Sequence, residues 1–269
     1  MLIGGSYASR RVWVKAECMN EGMMHGDEAG GTPAGGFATT RWTLVVRAGG
    51  ETSAVSEQAL ADLCRIYWFP LYAYIRRRGR SREDAEDLTQ GFLAHFLAAG
   101  SLRGVAADRG RFRAFLLAAL KHYLANAWDR AGRIKRGGGI VHVSWDWSEA
   151  EARYGAETGQ PATPDEAYDR AWAVALLERV IVRLREECVA AGKGAWFEAA
   201  KGFLMMGSAS VPYAKAAGDL GMEEGALRVA VHRLRRRYRE MLREELSSTL
   251  ADGSLVEEEL RALRAALGA

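Results

Sequence analysis

"ALRVAVHRLRRRYREML", residues 226–242, carries six arginines in seventeen residues and threads apolar side chains between them. Taken alone, that pattern fits a solvated amphipathic helix as well as a helix laid against phosphates. The residues before it bear on the choice. In "VPYAKAAGDLGMEEGALRVAVHRLRRRYRE" (211–240), Pro212 stands at the first position of a short helix expected to run to Leu220. Gly221 follows where a tight turn needs a positive φ, and a second helix is expected from near Glu224. Ala217, Gly221 and Leu227 have the spacing of a helix-turn-helix: a small residue at the crossing, glycine at the turn, and a branched apolar residue packing back. Leu220, Leu227, Val231 and Leu234 are expected on the inner face. Arg228, Arg233, Arg235, Arg236, Arg237 and Arg239 are left outside or at the rim. Such a second helix would place its first turns in a DNA major groove and its later arginines on phosphates.

The rest of the chain also reads as helical. Ser56 is expected to cap a helix through Gly79, with Leu60, Leu63, Tyr67, Leu71, Tyr74 and Ile75 at three- and four-residue steps. Pro70 should kink it and Gly79 should stop it. A second helix opens at Ser81, with Asp84 completing a capping box and Leu88, Phe92, Leu93, Phe96 and Leu97 forming its apolar stripe. A third is expected from Arg111 to Ala131, with Phe112, Phe115, Leu116, Ala119, Tyr123 and Ala127 inward. Residues 140–164 carry Trp145, Trp147, Gly155, Gly159, Pro161 and Pro164, the composition of a linker with anchoring aromatics. Helical periodicity returns over 165–188. A tail over 249–269 has a Ser254/Glu257 capping box and Leu255, Leu260, Leu263 and Leu267, and is expected to pack on the domain before it. Residues 1–40 hold no sustained period and are expected to be a disordered extension. With no strand-like alternation, the chain reads as all-α.

Composition excludes several classes. No apolar run approaches the roughly 18 residues that span a bilayer. The N-terminus lacks the apolar stretch of a signal peptide, so a cytoplasmic protein without membrane contact is expected. Cys18, Cys64 and Cys188 are too far apart for a disulfide framework or a zinc site. The five histidines are scattered, and no nucleophile–base pair or phosphate-cradling glycine loop appears, so neither enzyme nor metal or cofactor binding is expected. The net charge of +3 is modest but segregated. Residues 83–87 are acidic, whereas 130–136 and 228–243 are basic, which points to separate surfaces for separate partners.

At these segments the chain resembles the extracytoplasmic-function class of sigma-70 RNA polymerase sigma factors. "GALRVAVHRLR" (225–235) is similar to the family's "GTVKSRLHRAR", and "EDAEDLTQGFLAHFL" (83–97) resembles its core-binding helix. "FRAFLLAALKHYLANAWDRAGRIKRGG" (112–138) resembles the helix that meets the promoter −10 element. The motifs stand in the family's order, and the resemblance spans roughly 41–248. It implies a sigma-2-like bundle over 41–139, the linker 140–164 and a sigma-4-like helix-turn-helix domain over 165–248, and the tail 249–269 lies outside it. It implies docking of Asp84, Asp87, Leu88, Gln90 and Phe92 on the clamp helices of the polymerase β′ subunit. It implies −10 contacts from Lys121, His122, Asn126, Asp129, Arg130, Arg133, Lys135 and Arg136. Contacts with the −35 element are implied for Glu224, Ala226, Arg228, Val229, His232, Arg233, Arg235, Arg236 and Arg237. A docking site for an anti-sigma or other regulatory protein is the alternative reading of the tail 249–269.

The chain departs from the family in places. "AKAA" (214–217) replaces the usual "EIA", and His122 and Asn126 stand where the family has Asn and then Asp. Val229 and Ala230 replace polar residues, and apolar side chains there reach thymine methyls without making bidentate pairs. Two rival readings stay open. A stand-alone helix-turn-helix regulator leaves the acidic 81–99 helix unexplained, and a helical protein-binding scaffold leaves the arginine-rich helix unexplained.

Overall fold

The computed structural model describes residues 54–98, 111–131, 146–156, 163–204 and 212–268. Nine α-helices are found among them: α1 (Ala54–Arg77), α2 (Arg82–Ala98), α3 (Phe112–Ala131), α4 (Trp147–Ala156), α5 (Pro164–Ala190), α6 (Gly194–Ala200), α7 (Tyr213–Asp219), α8 (Glu224–Ser247) and α9 (Val256–Leu267). Extended pairing among the described residues is limited to one isolated bridge, Arg111 to Leu250. The all-α expectation holds there. No described helix is long and apolar enough to cross a membrane. Two compact units emerge: residues 54–175 with 246–260, and residues 176–245 with 261–268.

In the first unit, α1 starts at Ala54, so Ser56 lies inside its first turn rather than capping it. The helix runs through Pro70 and stops as expected at Gly79, whose φ of 82° is the left-handed conformation glycine adopts without strain. Ser81 Oγ accepts the Asp84 N–H at 3.0 Å and so caps α2. Leu63, Tyr67, Leu71 and Ile75 of α1 are buried with Phe92, Leu93 and Phe96 of α2. The inner face of α3 is turned from the expected one: Phe112, Leu116, Leu120 and Leu124 are buried at strict four-residue steps, whereas Phe115, Ala119 and Tyr123 are half-exposed. Tyr123 instead lies beside α2, 5.6 Å from Phe92 and 5.7 Å from His95 between ring centres. Gly91 leaves room for its hydroxyl, which would stand 2.6 Å from a Cβ there.

Part of the expected linker is the helix α4. Asp146 caps it by accepting the Glu149 N–H at 2.9 Å. Trp147 packs on Trp68 and Tyr72, at 5.5 and 5.6 Å between rings. Arg76 donates to Glu151 through two nitrogens, at 2.7 and 3.1 Å, and the Tyr72 hydroxyl donates to the same carboxylate. Burial alone would push the Glu151 carboxyl up, but these hydrogen bonds outweigh it and leave the group below its ordinary value.

The segment after α8 also differs from expectation. Asp252, rather than Ser254, caps the turn by accepting from the Ser254 N–H (2.8 Å) and hydroxyl (2.7 Å) before α9 begins. Residues 246–260 belong to the first unit. The Phe112 N–H donates to the Thr249 carbonyl at 3.2 Å. Glu259, only 1% exposed, pairs with Arg113 at 2.5 Å and Arg111 at 3.2 Å. Arg113 also pairs with Asp169 and lies 4.5 Å from the centre of the Trp172 ring. A buried carboxylate is tolerated here because two guanidinium groups satisfy it.

The second unit rests on α5 and α8. A three-rung ion-pair ladder joins them: Arg179 to Glu245, Arg183 to Glu244 and Glu245, and Glu187 to Arg237. Residues 179, 183 and 187 follow four-residue steps up one face of α5, while their partners descend α8. Glu245 is 1% exposed and held by both arginines. A Thr163/Glu166 capping box starts α5, each side chain accepting the other's backbone N–H at 3.2 Å.

Candidate nucleic-acid interface

The short helix, glycine turn and second helix expected from 211–240 are present in the second unit. Pro212 stands at the N-cap position, one residue before the expected first helical position and without a side-chain cap; the helix closes at Leu220, and Gly221 has φ 63°. The Met222 N–H donates to the Ala217 carbonyl (2.9 Å) and the Gly221 N–H to the Gly218 carbonyl (3.1 Å). That pair of bonds is a Schellman end, and it turns the chain into α8 at Glu224. Ala216, Ala217, Leu227, Val231 and Phe203 form the small core, with Tyr213 and Leu220 packed against it. Leu234 is buried as well. The residue types chosen by spacing therefore meet in space.

With that face buried, the helical period sorts the basic side chains of α8 into three groups. Arg228, His232, Arg236, Arg239 and Arg243 are exposed along the side turned from the core. Arg228 is held at the start of this stripe: it pairs with Glu224 at 2.5 Å, and its guanidinium lies 4.6 Å from the Tyr213 ring centre. Arg236 is 74% exposed, and among the described residues its ion pair is with Glu240 of the same helix at 3.0 Å. Ala226 and Val229 are also exposed, Val229 to 53%. The stripe is thus a row of cations beginning with an apolar patch, which suits phosphates and a groove floor.

Two arginines named from the sequence are committed elsewhere. Arg237 donates to Glu187 Oε2 at 2.8 Å, to its Oε1 at 3.1 Å and to Glu244 at 3.2 Å, which makes it the third rung of the α5–α8 ladder. The hydrogen bonds that Arg237 donates to Glu187 raise its guanidinium and hold the Glu187 carboxyl below its ordinary value. Arg235 is half-buried and donates to the Phe203 carbonyl at 2.7 Å, tying α8 to the segment after α6. Arg233 is exposed but lies on the flank facing α5 and α6, where it lines a cleft with Glu187 and Trp196. The reason is geometric. Steps of 100° per residue scatter consecutive arginines around the helix, and only about half of them can share one face.

The first unit offers two further surfaces. On α2, Asp84 and Asp87 are exposed and Leu88 and Gln90 half-exposed, spread over the half of the helix turned from the buried Ala85, Phe92 and Phe96. Phe92 does not join it: at 1% exposure it packs on Phe96 and Tyr123, so it is a core residue and not a docking one. On α3, His122 and Asn126 are exposed neighbours one turn apart. Lys121 is paired with Asp165 at 2.5 Å. Asp129 and Arg130 are described by backbone alone, in the last turns of α3. Arg133, Lys135, Arg136 and Trp145 lie outside the described residues. Among the described residues no group of three or more His, Cys, Asp or Glu could hold a metal ion. Burial pushes the Cys64 thiol up to about 12, which leaves it protonated and inert.

Comparisons of the chain with protein-family models, curated proteins and solved structures return no match. Geometry and residue chemistry therefore carry the functional reading.

Proposed function

We propose that this chain is a sigma factor that binds core RNA polymerase and directs it to promoters through −35 and −10 contacts. The observation carrying the reading is the exposed stripe of Arg228, His232, Arg236, Arg239 and Arg243 on the second helix of a helix-turn-helix. In this reading the first turns of α8 enter the −35 major groove and the later arginines meet the flanking phosphates. Glu224 orients Arg228 for a base edge. The Asp84, Asp87, Leu88 and Gln90 surface docks on a basic coiled coil of the polymerase. His122 and Asn126, followed by the basic run 130–136, meet the separated −10 strands. The chain acts in the cytoplasm and catalyses nothing itself.

The test is run-off transcription. Purified chain is added to core polymerase on a library of promoter fragments, and promoter-specific transcripts are expected. Duplex binding without transcripts would replace this reading with a stand-alone regulator. Failure of both would leave a protein-binding scaffold.

A further inference from the structure

The second unit contains a cleft that the DNA-facing stripe does not use. It has a volume of about 540 Å³ and lies among the end of α5, the start of α6, the turn after α7 and the flank of α8. That volume falls within the range of small-molecule sites, roughly 300–1,000 Å³. Leu184, Cys188, Trp196, Met222, Ala230 and Leu234 supply an apolar lining. A rigid indole and a polarizable thioether in the lining favour an aromatic body over an aliphatic one.

Charged residues supply the second half of the recognition. The lining also holds three cations, Lys193, Arg233 and Arg237, and one carboxylate, Glu187. Glu187 is already bound at both oxygens by Arg237. Lys193 and Arg233 are exposed and have no ion-pair partner among the described residues. The cleft therefore presents two unneutralised cations alongside an apolar lining. From this we infer that the second unit binds a small aromatic carboxylate, its ring between Trp196 and Met222 and its carboxylate at Lys193 and Arg233.

The site has a local consequence. Met222 belongs to the turn between α7 and α8, and its N–H is bound to the Ala217 carbonyl at 2.9 Å. A ligand packed on Met222 adds contacts across that turn, so its amide opens less often. Cys188, also in the lining, provides a second reporter, because an occupied cleft shields its thiol.

The experiment uses the full chain and 2-naphthoate as the probe. Calorimetry should show saturable one-to-one binding. 2-Naphthylmethylamine, with the same ring and the opposite charge, should bind at least about tenfold more weakly, and octanoate should also bind more weakly. Lys193→Glu with Arg233→Glu should weaken 2-naphthoate by about tenfold or more while leaving helical content unchanged. Ala230→Leu, which narrows the cleft without altering charge, should weaken acid and amine alike. Bound 2-naphthoate should slow exchange of the Met222 amide and alkylation of Cys188, followed by peptide mass. The inference is overturned by absent saturation, by equal affinity for acid and amine, or by undiminished binding to the double variant. Neither readout involves DNA or polymerase, so this result stands apart from the fate of the sigma-factor reading.

Discussion

Arg236 and Arg237 are adjacent in sequence, yet their truncations should fail in opposite ways. Arg236 is 74% exposed, and among the described residues its ion pair is with Glu240. An exposed pair one turn apart stabilises a helix by about 0.3–0.5 kcal/mol, so Arg236→Ala should barely alter the fold. If Arg236 neutralises one phosphate, its loss should lower the log–log salt slope of duplex binding by about 0.9. Raising salt fourfold, from about 50 to 200 mM, should then shrink the wild-type advantage by roughly 3.5-fold. Arg237 holds both Glu187 oxygens and reaches Glu244, with its side chain 37% exposed. Solvent screens such a pair, so Arg237→Ala should cost about 1 kcal/mol, lower the thermal midpoint and leave the salt slope unchanged. The assay is anisotropy of the full chain on a short duplex at several salt concentrations, with thermal melts followed by circular dichroism. If Arg237→Ala flattens the slope as much as Arg236→Ala, or if Arg236→Ala destabilises the fold more, then the division of α8 into a DNA side and a ladder side is wrong.

Three further outcomes are expected. Asp84→Lys with Asp87→Lys should greatly reduce capture by immobilised core polymerase with unchanged helical content, and undiminished capture would remove α2 as the docking surface. Glu259→Gln keeps the shape but leaves Arg113, 12% exposed, with Asp169 alone, so it should cost about 3 kcal/mol in urea unfolding; a loss below about 1 kcal/mol would mean that the ladder to α9 is dispensable. Glu187 is depressed in the folded state, so its contribution is present above the unfolded value of about 4.3 and fades as pH falls through the folded one. The gap in thermal midpoint between wild type and Glu187→Gln should therefore be open at neutral pH and close in acid, and a gap that widens in acid would reverse the sign of this linkage.

What the residues determined by themselves is local. The limits of α3 and α7 and the start of α8 followed from apolar period and from Gly221, because hydrogen bonds within a helix and the left-handed turn depend on near neighbours. The small core at α7 and α8 followed for the same reason, since Ala217, Leu227 and Val231 lie within fifteen residues of one another. Helix α4 was legible too: Asp146 and Glu149 are a cap signature, and Trp147, Ala150 and Tyr154 keep helical spacing, though flanking glycines and prolines pointed to a linker. Tertiary structure alone decided which polar groups were left over for a partner. Arg237 looks like Arg236 until Glu187, fifty residues away, claims it. Phe92 looks like Leu88 until α3 covers it, and Glu259 looks like a solvated acid until Arg113 buries it from 146 residues away. Pairing and burial at such separations depend on how helices pack, and no short-range pattern encodes that.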